Sequence, residues 1–248
     1  STLGLFDDEG QLAKGWRMTS NASDTSDMLH ARLFSYFLKD GYELADVSAA
    51  AVASVVPALT RAWWRCLGDL LGRSPLLVNA THDYGMPIDM PNPRTVGADR
   101  IANAIAARNA YGSPVIVVDF GTATNIDVVD DRGAYRGGAI SPGLMLSANA
   151  LFSKAAKLAS IPVEAPEHAL GDTTETAMQS GLVIGAAAQA EGLVSRMKAE
   201  LGIEQAKVIG TGGLARTVSR ATDLFDAIDP TLTLRGIREI WLQQHGGA

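Results

Sequence analysis

Apolar positions recur along this chain with two periods, and the two periods divide it into strands and helices. An apolar run that reads as a buried strand, residues 115–118, ends in an acid, Asp119. Gly121, Thr122 and Thr124 follow, and then a second strand at 126–129. Asp130, Asp131, Arg132 and Gly133 supply a tight turn, and the chain returns through Tyr135 to Gly137 and Gly138. A strand with an acid at its tip, a Gly/Thr turn and an antiparallel return outline a phosphate and cation site. Glycine admits close approach of the backbone to a phosphate, hydroxyls and N–H groups donate to it, and the acid holds a cation against its charge. The same residues also suit an ordinary hairpin whose acid and threonines cap turns, and spacing alone leaves both readings open.

The first residues repeat this design in miniature. Residues 3–6 are apolar, Asp7, Asp8, Glu9 and Gly10 make a turn, and 12–18 return as a strand. In the later copy an Asp/Gly/Thr loop precedes the second strand. The matching loop of the first copy belongs just upstream of Leu3, so the expectation is that its strand and most of the loop are lacking from the sequence. Two related halves, each opening on a hairpin beside a phosphate loop, predict a duplicated α/β fold. The expected domains are 1–112 and 113–248, with a cleft between them.

The remaining elements follow from spacing and punctuation. Met28, Leu29, Leu33, Phe34, Phe37 and Leu38 predict a helix with a packed apolar face, after the polar stretch 19–26 and before Gly41. Residues 47–56 alternate small and β-branched side chains and read as a buried strand. Pro57 suits the first turn of a helix that carries Trp63, Trp64, Cys66, Leu67, Leu70 and Leu71 and stops near Gly72. Residues 76–78 read as a short strand. Three prolines, Pro87, Pro91 and Pro93, exclude a helix over 83–96. Ile101, Ala104, Ile105 and Asn109 then recur at helical spacing, which sets Asp99 at or just inside a helix N-terminus. There Asp99 is either a cap, which contributes about 1 kcal/mol, or a carboxylate kept ionised by the helix dipole and free to accept a proton. Arg100 beside it suits a carboxylate or phosphate. Further on, 147–158 reads as a helix with Leu151 and Phe152 inward, and 161–168 as a loop. Residues 173–201 read as one long helix whose middle, 181–192, is dense in Gly and Ala and suits close packing between domains or subunits. A strand at 207–209 runs into Gly210, Thr211, Gly212 and Gly213, a turn suited to a nucleotide base or ribose, with helices at 217–221 and 235–244.

Composition acts mainly by exclusion. A net charge of −6 over 248 residues argues against a general binder of nucleic acid or of anionic membranes. The single cysteine, Cys66, rules out an internal disulfide and a cysteine-cluster metal site, and it reads as a small core residue. No apolar run is long enough to span a membrane and no signal peptide is evident, so the expectation is a cytoplasmic enzyme or binding protein. His30, His82, His168 and His245 are scattered and suggest neither a catalytic triad nor a zinc site.

Several of these stretches together carry a family resemblance. Pro91, Asn92, Pro93, Arg94, Thr95, Val96, Gly97, Ala98, Asp99 and Arg100 form the first. Asp119, Phe120, Gly121, Thr122, Ala123 and Thr124 form the second, and Gly137 to Gly143 continue it. Met178, Gln179, Ser180, Gly181 and then Thr211, Gly212, Gly213, Leu214, Ala215 complete the order. In this order and spacing the chain resembles the type III pantothenate kinases. The resemblance implies an actin-like, ribonuclease-H-like duplicated α/β fold and a homodimer. It implies ATP-dependent phosphorylation of the primary hydroxyl of pantothenate, the first step towards coenzyme A, with potassium or ammonium and with magnesium accompanying ATP. Carried over by position, Asp99 is the expected general base, and Gly97, Ala98 and Arg100 its pantothenate-contacting neighbours. Asp119 is the expected ligand of a monovalent cation. Thr122, Gly121 and Gly212 are expected at ATP, and Thr174 at pantothenate near a dimer interface. Two departures stand against the pattern. The family's N-terminal Asp-x-Gly-Asn-Thr loop is absent, with only Ser1 and Thr2 as its tail, which predicts weak ATP binding by the chain as written. Met90 stands where the family often has an aromatic residue.

Two other readings are compatible with the sequence. A non-catalytic relative, binding a ligand or acting as a transcription accessory protein, would account for both departures. A sugar or acetate kinase on the same fold would share the phosphate chemistry, but not the motifs at 97–100 and 178–181.

Overall fold

The computed structural model describes residues 1–80, 83–154 and 160–246. It divides into two units, Ser1–Tyr84 with Arg94–Ala102 and Leu234–Ala248, and Gly85–Pro93 with Asn103–Thr233. His82 lies outside the described residues.

The first unit opens on the predicted hairpin, β1 (Thr2–Phe6) antiparallel to β2 (Leu12–Arg17). Helix α1 (Ser26–Asp40) follows, where the hydroxyl of Thr25 accepts the Met28 N–H at 3.3 Å and satisfies one of the free donors of the first turn. Helix α2 (Pro57–Leu71) begins on its proline and stops at Gly72, as read. Leu29, Leu33 and Phe37 of α1 meet Leu59, Ala62, Trp63 and Cys66 of α2 and Trp16 of β2 to form this unit's core. The six apolar positions of α1 do not all turn inward. Met28, Phe34 and Leu38 are exposed, because they lie one residue, or about 100°, round the helix from the buried stripe. Lys14 Nζ and Trp16 Nε1 both donate to the carboxylate of Asp40, at 2.9 and 2.7 Å, and tie the hairpin to the end of α1.

The strand expected over 47–56 is much shorter. Only β3 (Ala51–Ala53) holds ladder geometry, parallel to β4 (Leu76–Val78), and its residues are half-buried. Among the described residues β1 and β3 each pair along one edge, and pairing on one side alone supports few residues. An apolar groove of about 470 Å³ lies between them, lined by both strands and by Leu33, Phe37, Trp63 and Leu67.

The second unit holds a five-stranded mixed sheet in the order β7-β6-β5-β8-β9. Its strands are β5 (Val115–Phe120), β6 (Ala123–Val129), β7 (Tyr135–Pro142), β8 (Lys207–Thr211) and β9 (Ala227–Ile228). β5 is antiparallel to β6 and parallel to β8, so the carboxyl ends of β5 and β8 lie side by side, with Asp119 opposite Thr211. Residues 115–118 are fully buried, as an unbroken apolar run in a central strand requires. Thr124 is a buried strand residue opposite Phe120, not part of the turn. The turn acid Asp130 accepts the N–H groups of Arg132 and Ala134 at 3.0 and 2.9 Å.

Helix α3 (Ala98–Tyr111) and the last helix, α8 (Leu232–His245), each cross the boundary between the units. Helix α4 (Leu144–Lys154) starts earlier than the expected 147, and the last part of that expectation, 155–158, falls outside the described residues. The long helix expected over 173–201 is present in three pieces. α5 (Thr174–Gln179) starts on a capping box made by Thr173 and Thr176, a π turn spans Ser180–Ile184, and α6 (Gly185–Leu201) completes it. Leu182, Val183, Ala187, Ala190 and Val194 pack into the core formed with Ile116, Val118, Ile126 and Val208, so part of the small-residue face is used inside this unit. Helix α7 (Ala215–Val218) follows β8.

Candidate active site

Open α/β sheets place their ligands outside the carboxyl ends of the parallel strands, among the loops that leave them. Here that end carries the predicted cluster. Gly121 and Thr122 form the turn from β5 to β6, with the Gly121 N–H donating to the Ala123 carbonyl at 3.0 Å. Gly143 packs directly on the carbonyls of Gly121 and Thr122 and donates its N–H to Thr122 at 3.2 Å, which fixes that turn. Gly212, just past β8, has φ +90° and lies against the carboxylate oxygen Oδ1 of Asp119, where no side chain would fit. A Cβ on Gly121 would stand 3.4 Å from the same oxygen. Asp119, Gly121, Thr122 and Gly212 are therefore one cluster, with a carboxylate oxygen set among glycine backbones.

The other oxygen of Asp119 is held by a residue that the apolar spacing of α3 does not single out. Asn103 Nδ2 donates to Asp119 Oδ2 at 2.9 Å, and the hydroxyl of Thr233 donates to Asn103 Oδ1 at 2.7 Å. Asn103 is 1% exposed and sits among Ile101, Ala102, Ala104 and Ile105, all fully buried. A lone amide in so apolar a run is the signal that would have marked it.

The second motif is local to the start of α3. Gly97 precedes the helix, Ala98 is buried, and Asp99 and Arg100 are half-buried in its first turn. The Asp99 carboxylate accepts the Arg100 N–H at 2.9 Å, so it does occupy one of the free donors at the helix start. A Cβ on Gly97 would come within 2.6 Å of Asp99 Oδ1, and glycine there leaves that carboxylate its room. Thr174, the first residue of α5, is exposed and lies outside the Asp119 cluster. Met90 lies over Gly137, its side chain 3.4 Å from where a Cβ on Gly137 would stand. The surrounding segment is pinned to β7, since Tyr135 and Asp89 exchange backbone bonds with Pro87 and Tyr135 at 2.8 and 2.9 Å.

Among the described residues no three His, Cys, Asp or Glu side chains gather as a metal cage. The oxygens gathered at the β5 tip are those of the Asp119 carboxylate, the Thr122 hydroxyl and backbone carbonyls. These are hard oxygens, suited to a potassium ion or to magnesium that brings its own phosphate oxygens, and unsuited to zinc.

A model of the type III pantothenate kinase family matches residues 1–196. A relative from Thermomicrobium roseum named as a type III pantothenate kinase is 42% identical over 243 residues, covering 98% of this chain and 93% of its own. Among solved structures, a conserved Baf family protein from Campylobacter jejuni superposes with a TM-score of 0.59 at 18% identity, covering 83% of this chain and 87% of that one. The activator of the 2-hydroxyisocaproyl-CoA dehydratase from Clostridium difficile, solved with ADPNP bound, gives 0.55 at 11% identity, covering 98% and 90%. At those identities the structural likeness speaks to fold alone, and it agrees with the actin-like α/β class expected.

Proposed function

The chain belongs to the type III pantothenate kinase family, and on that premise we propose how its residues carry the reaction, transfer of the γ-phosphoryl group of ATP to the primary hydroxyl of pantothenate in coenzyme A synthesis. The observation that carries the phosphate side is the Asp119 carboxylate, held at Oδ2 by Asn103 with Oδ1 set among the Gly121 and Gly212 backbones. The Thr122 hydroxyl donates to a phosphate oxygen, and glycine at 121 and 212 admits the phosphates close to the backbone. Asp119 would hold a potassium or ammonium ion, whose positive charge would offset the negative charge of the phosphates. ATP enters as its magnesium complex, and magnesium supplies charge stabilisation on the phosphate oxygens.

On the acceptor side, Asp99 takes the proton of the pantothenate hydroxyl as the oxygen bonds to the γ-phosphorus and ADP departs. Its room beside Gly97 and its hydrogen bond to the Arg100 N–H fix the carboxylate's direction. Arg100 is a partner for the carboxylate of pantothenate, Gly97 and Ala98 border the substrate, and Thr174 contacts it from α5. This reading takes 1–112 and 113–248 as the two related halves, the protein as a cytoplasmic homodimer, and small molecules as its ligands, with neither nucleic acid nor membrane. The described residues contain no helix long and apolar enough to cross a membrane.

The test is a coupled assay of pantothenate phosphorylation with magnesium and ATP, with and without potassium. Asp99→Asn is expected to lower kcat about 10²–10⁴-fold with an unchanged circular dichroism spectrum. Retained turnover combined with a lowered melting temperature would make Asp99 a helix cap and nothing more.

A further inference from the structure

We propose that Asn103 and Thr233 are positioning residues that fix the orientation of the Asp119 carboxylate, the group read above as the cation's ligand. The proposal rests on the reading of Asp119 given above. Its observation is the chain of two hydrogen bonds, Thr233 hydroxyl to Asn103 Oδ1 at 2.7 Å and Asn103 Nδ2 to Asp119 Oδ2 at 2.9 Å. The polarity of this chain is set by chemistry. An ionised carboxylate only accepts, so the amide must turn its NH2 end to Asp119, and its oxygen is left for a donor. Thr233 supplies that donor. A threonine hydroxyl rotates to suit its partner, so its proton locks the amide in the orientation Asp119 needs.

The burial sharpens the point. A buried polar group is costly unless its bonds are made, and a leucine or alanine would pack at position 103 without that cost. Asn103 is 1% exposed, and residues 101, 102, 104, 105, 106 and 107 around it are fully buried and apolar. What the amide adds is direction. A strand-tip carboxylate is free to swing about its last torsion, and the two oxygens then exchange places. A donor fixed on Oδ2, with Oδ1 lodged against Gly212 and 3.4 Å from a Cβ position on Gly121, removes that freedom. Groups of this kind, one bond removed from a metal ligand, set its orientation and basicity.

The experiment compares Asn103→Ala, Thr233→Val, Thr233→Ser and Asp119→Asn. Calorimetry measures the dissociation constants of magnesium-ATP and of pantothenate in potassium chloride and in tetramethylammonium chloride, and the potassium concentration for half-maximal turnover is measured beside them. Asn103→Ala is expected to weaken ATP and raise the half-maximal potassium concentration about 10-fold, within the usual range for such partners, and to leave pantothenate affinity in place. Thr233→Val should shift both in the same direction by a smaller factor, and Thr233→Ser, which keeps the hydroxyl, should restore them. In the double variant with Asp119→Asn, loss of Asn103 should add nothing further, because the two act as one unit. A lowered melting temperature with unchanged ATP and potassium behaviour would make Asn103 a structural amide and overturn the proposal, as would additive losses in the double variant. If Asn103→Ala does not fold, the Thr233 pair decides alone. An Asp119→Asn variant that keeps normal ATP affinity and potassium dependence would overturn the Asp119 assignment and this inference with it. A shift in Asp119→Asn without one in Asn103→Ala overturns the inference only.

Discussion

At Gly212 the backbone turns with φ +90° while the Asp119 carboxylate lies against it, so two demands meet on one residue. Any side chain there has both a strained backbone and a collision with the oxygen. Gly212→Ala is expected to weaken ATP binding, measured by calorimetry, about 10-fold or more, the scale of losses seen when a ligating group is displaced. Gly202 is the control: its φ is +67° but its Cβ position is open, so Gly202→Ala should lower stability by about 1–2 kcal/mol and leave ATP affinity alone. Of the clustered residues, Asp119, Gly121, Thr122 and Gly212 were legible because their types sit at strand ends, where sequence pattern is informative. Asn103 was not, because apolar spacing identifies what packs and passes over a polar residue on the same buried face. Thr233 was out of reach for another reason: it lies 130 positions from its partner, and nothing local marks a hydroxyl that will meet an amide so far along the chain.

Elements were read best where both faces of the pattern were decided locally. Helices α1 and α2 ended at their glycines, and the hairpins turned at their Asp/Gly clusters. The strand over 47–56 shrank to three residues because a strand's length depends on what pairs with it, and β3 has β4 on one side only among the described residues. The long helix of 173–201 kept its direction but acquired a π turn at Ser180–Ile184, beside the Ser180 hydroxyl's bond to the Ala169 carbonyl. Its start rests on a reciprocal pair: Thr173 accepts from the Thr176 N–H at 3.1 Å, and Thr176 Oγ1 accepts from the Thr173 N–H at 3.0 Å. Thr173→Ala removes half of that box, which costs about 1 kcal/mol and should lower the melting temperature by about 2–4 °C in a chain of this size. An unchanged melting temperature would mean that α5 is held by its packing and not by its cap.

Over the whole molecule, stability is expected to follow pH on two limbs. Hydrogen bonds from Arg32 and from the Asn21 N–H hold the Asp24 carboxyl below its ordinary value. Burial pushes Asp130 up, but the Ala134 N–H and the guanidinium groups of Arg132 and Arg136 outweigh it, and its value is lowered too. Carboxyls lowered on folding contribute stability above their unfolded value of about 3.9 and lose it as pH falls through the folded one. The Cys66 thiol does the reverse. Burial first, and then the charges of Asp69 and Asp27, push it up to about 11, so its contribution is whole below the ordinary thiol value and is lost as pH rises towards that figure. Melting temperature against pH should therefore show a plateau between about 5 and 8. Asp24→Asn should flatten the acid limb and Cys66→Ala the alkaline one. An acid limb unchanged in both Asp24→Asn and Asp130→Asn would assign acid unfolding to other carboxylates.

That cysteine also has a use of its own. It is the chain's single thiol, it is 1% exposed, and it lies on α2 in the core of the first unit. While that core is shut the sulfur is both inaccessible and protonated. When the core opens the thiol returns to ordinary acidity and reacts. The speed at which a thiol reagent labels the native protein is thus a clock for breathing of the first unit alone. Changes in that speed when ATP or pantothenate is added would report, without any engineered probe, how firmly each ligand grips that half of the enzyme.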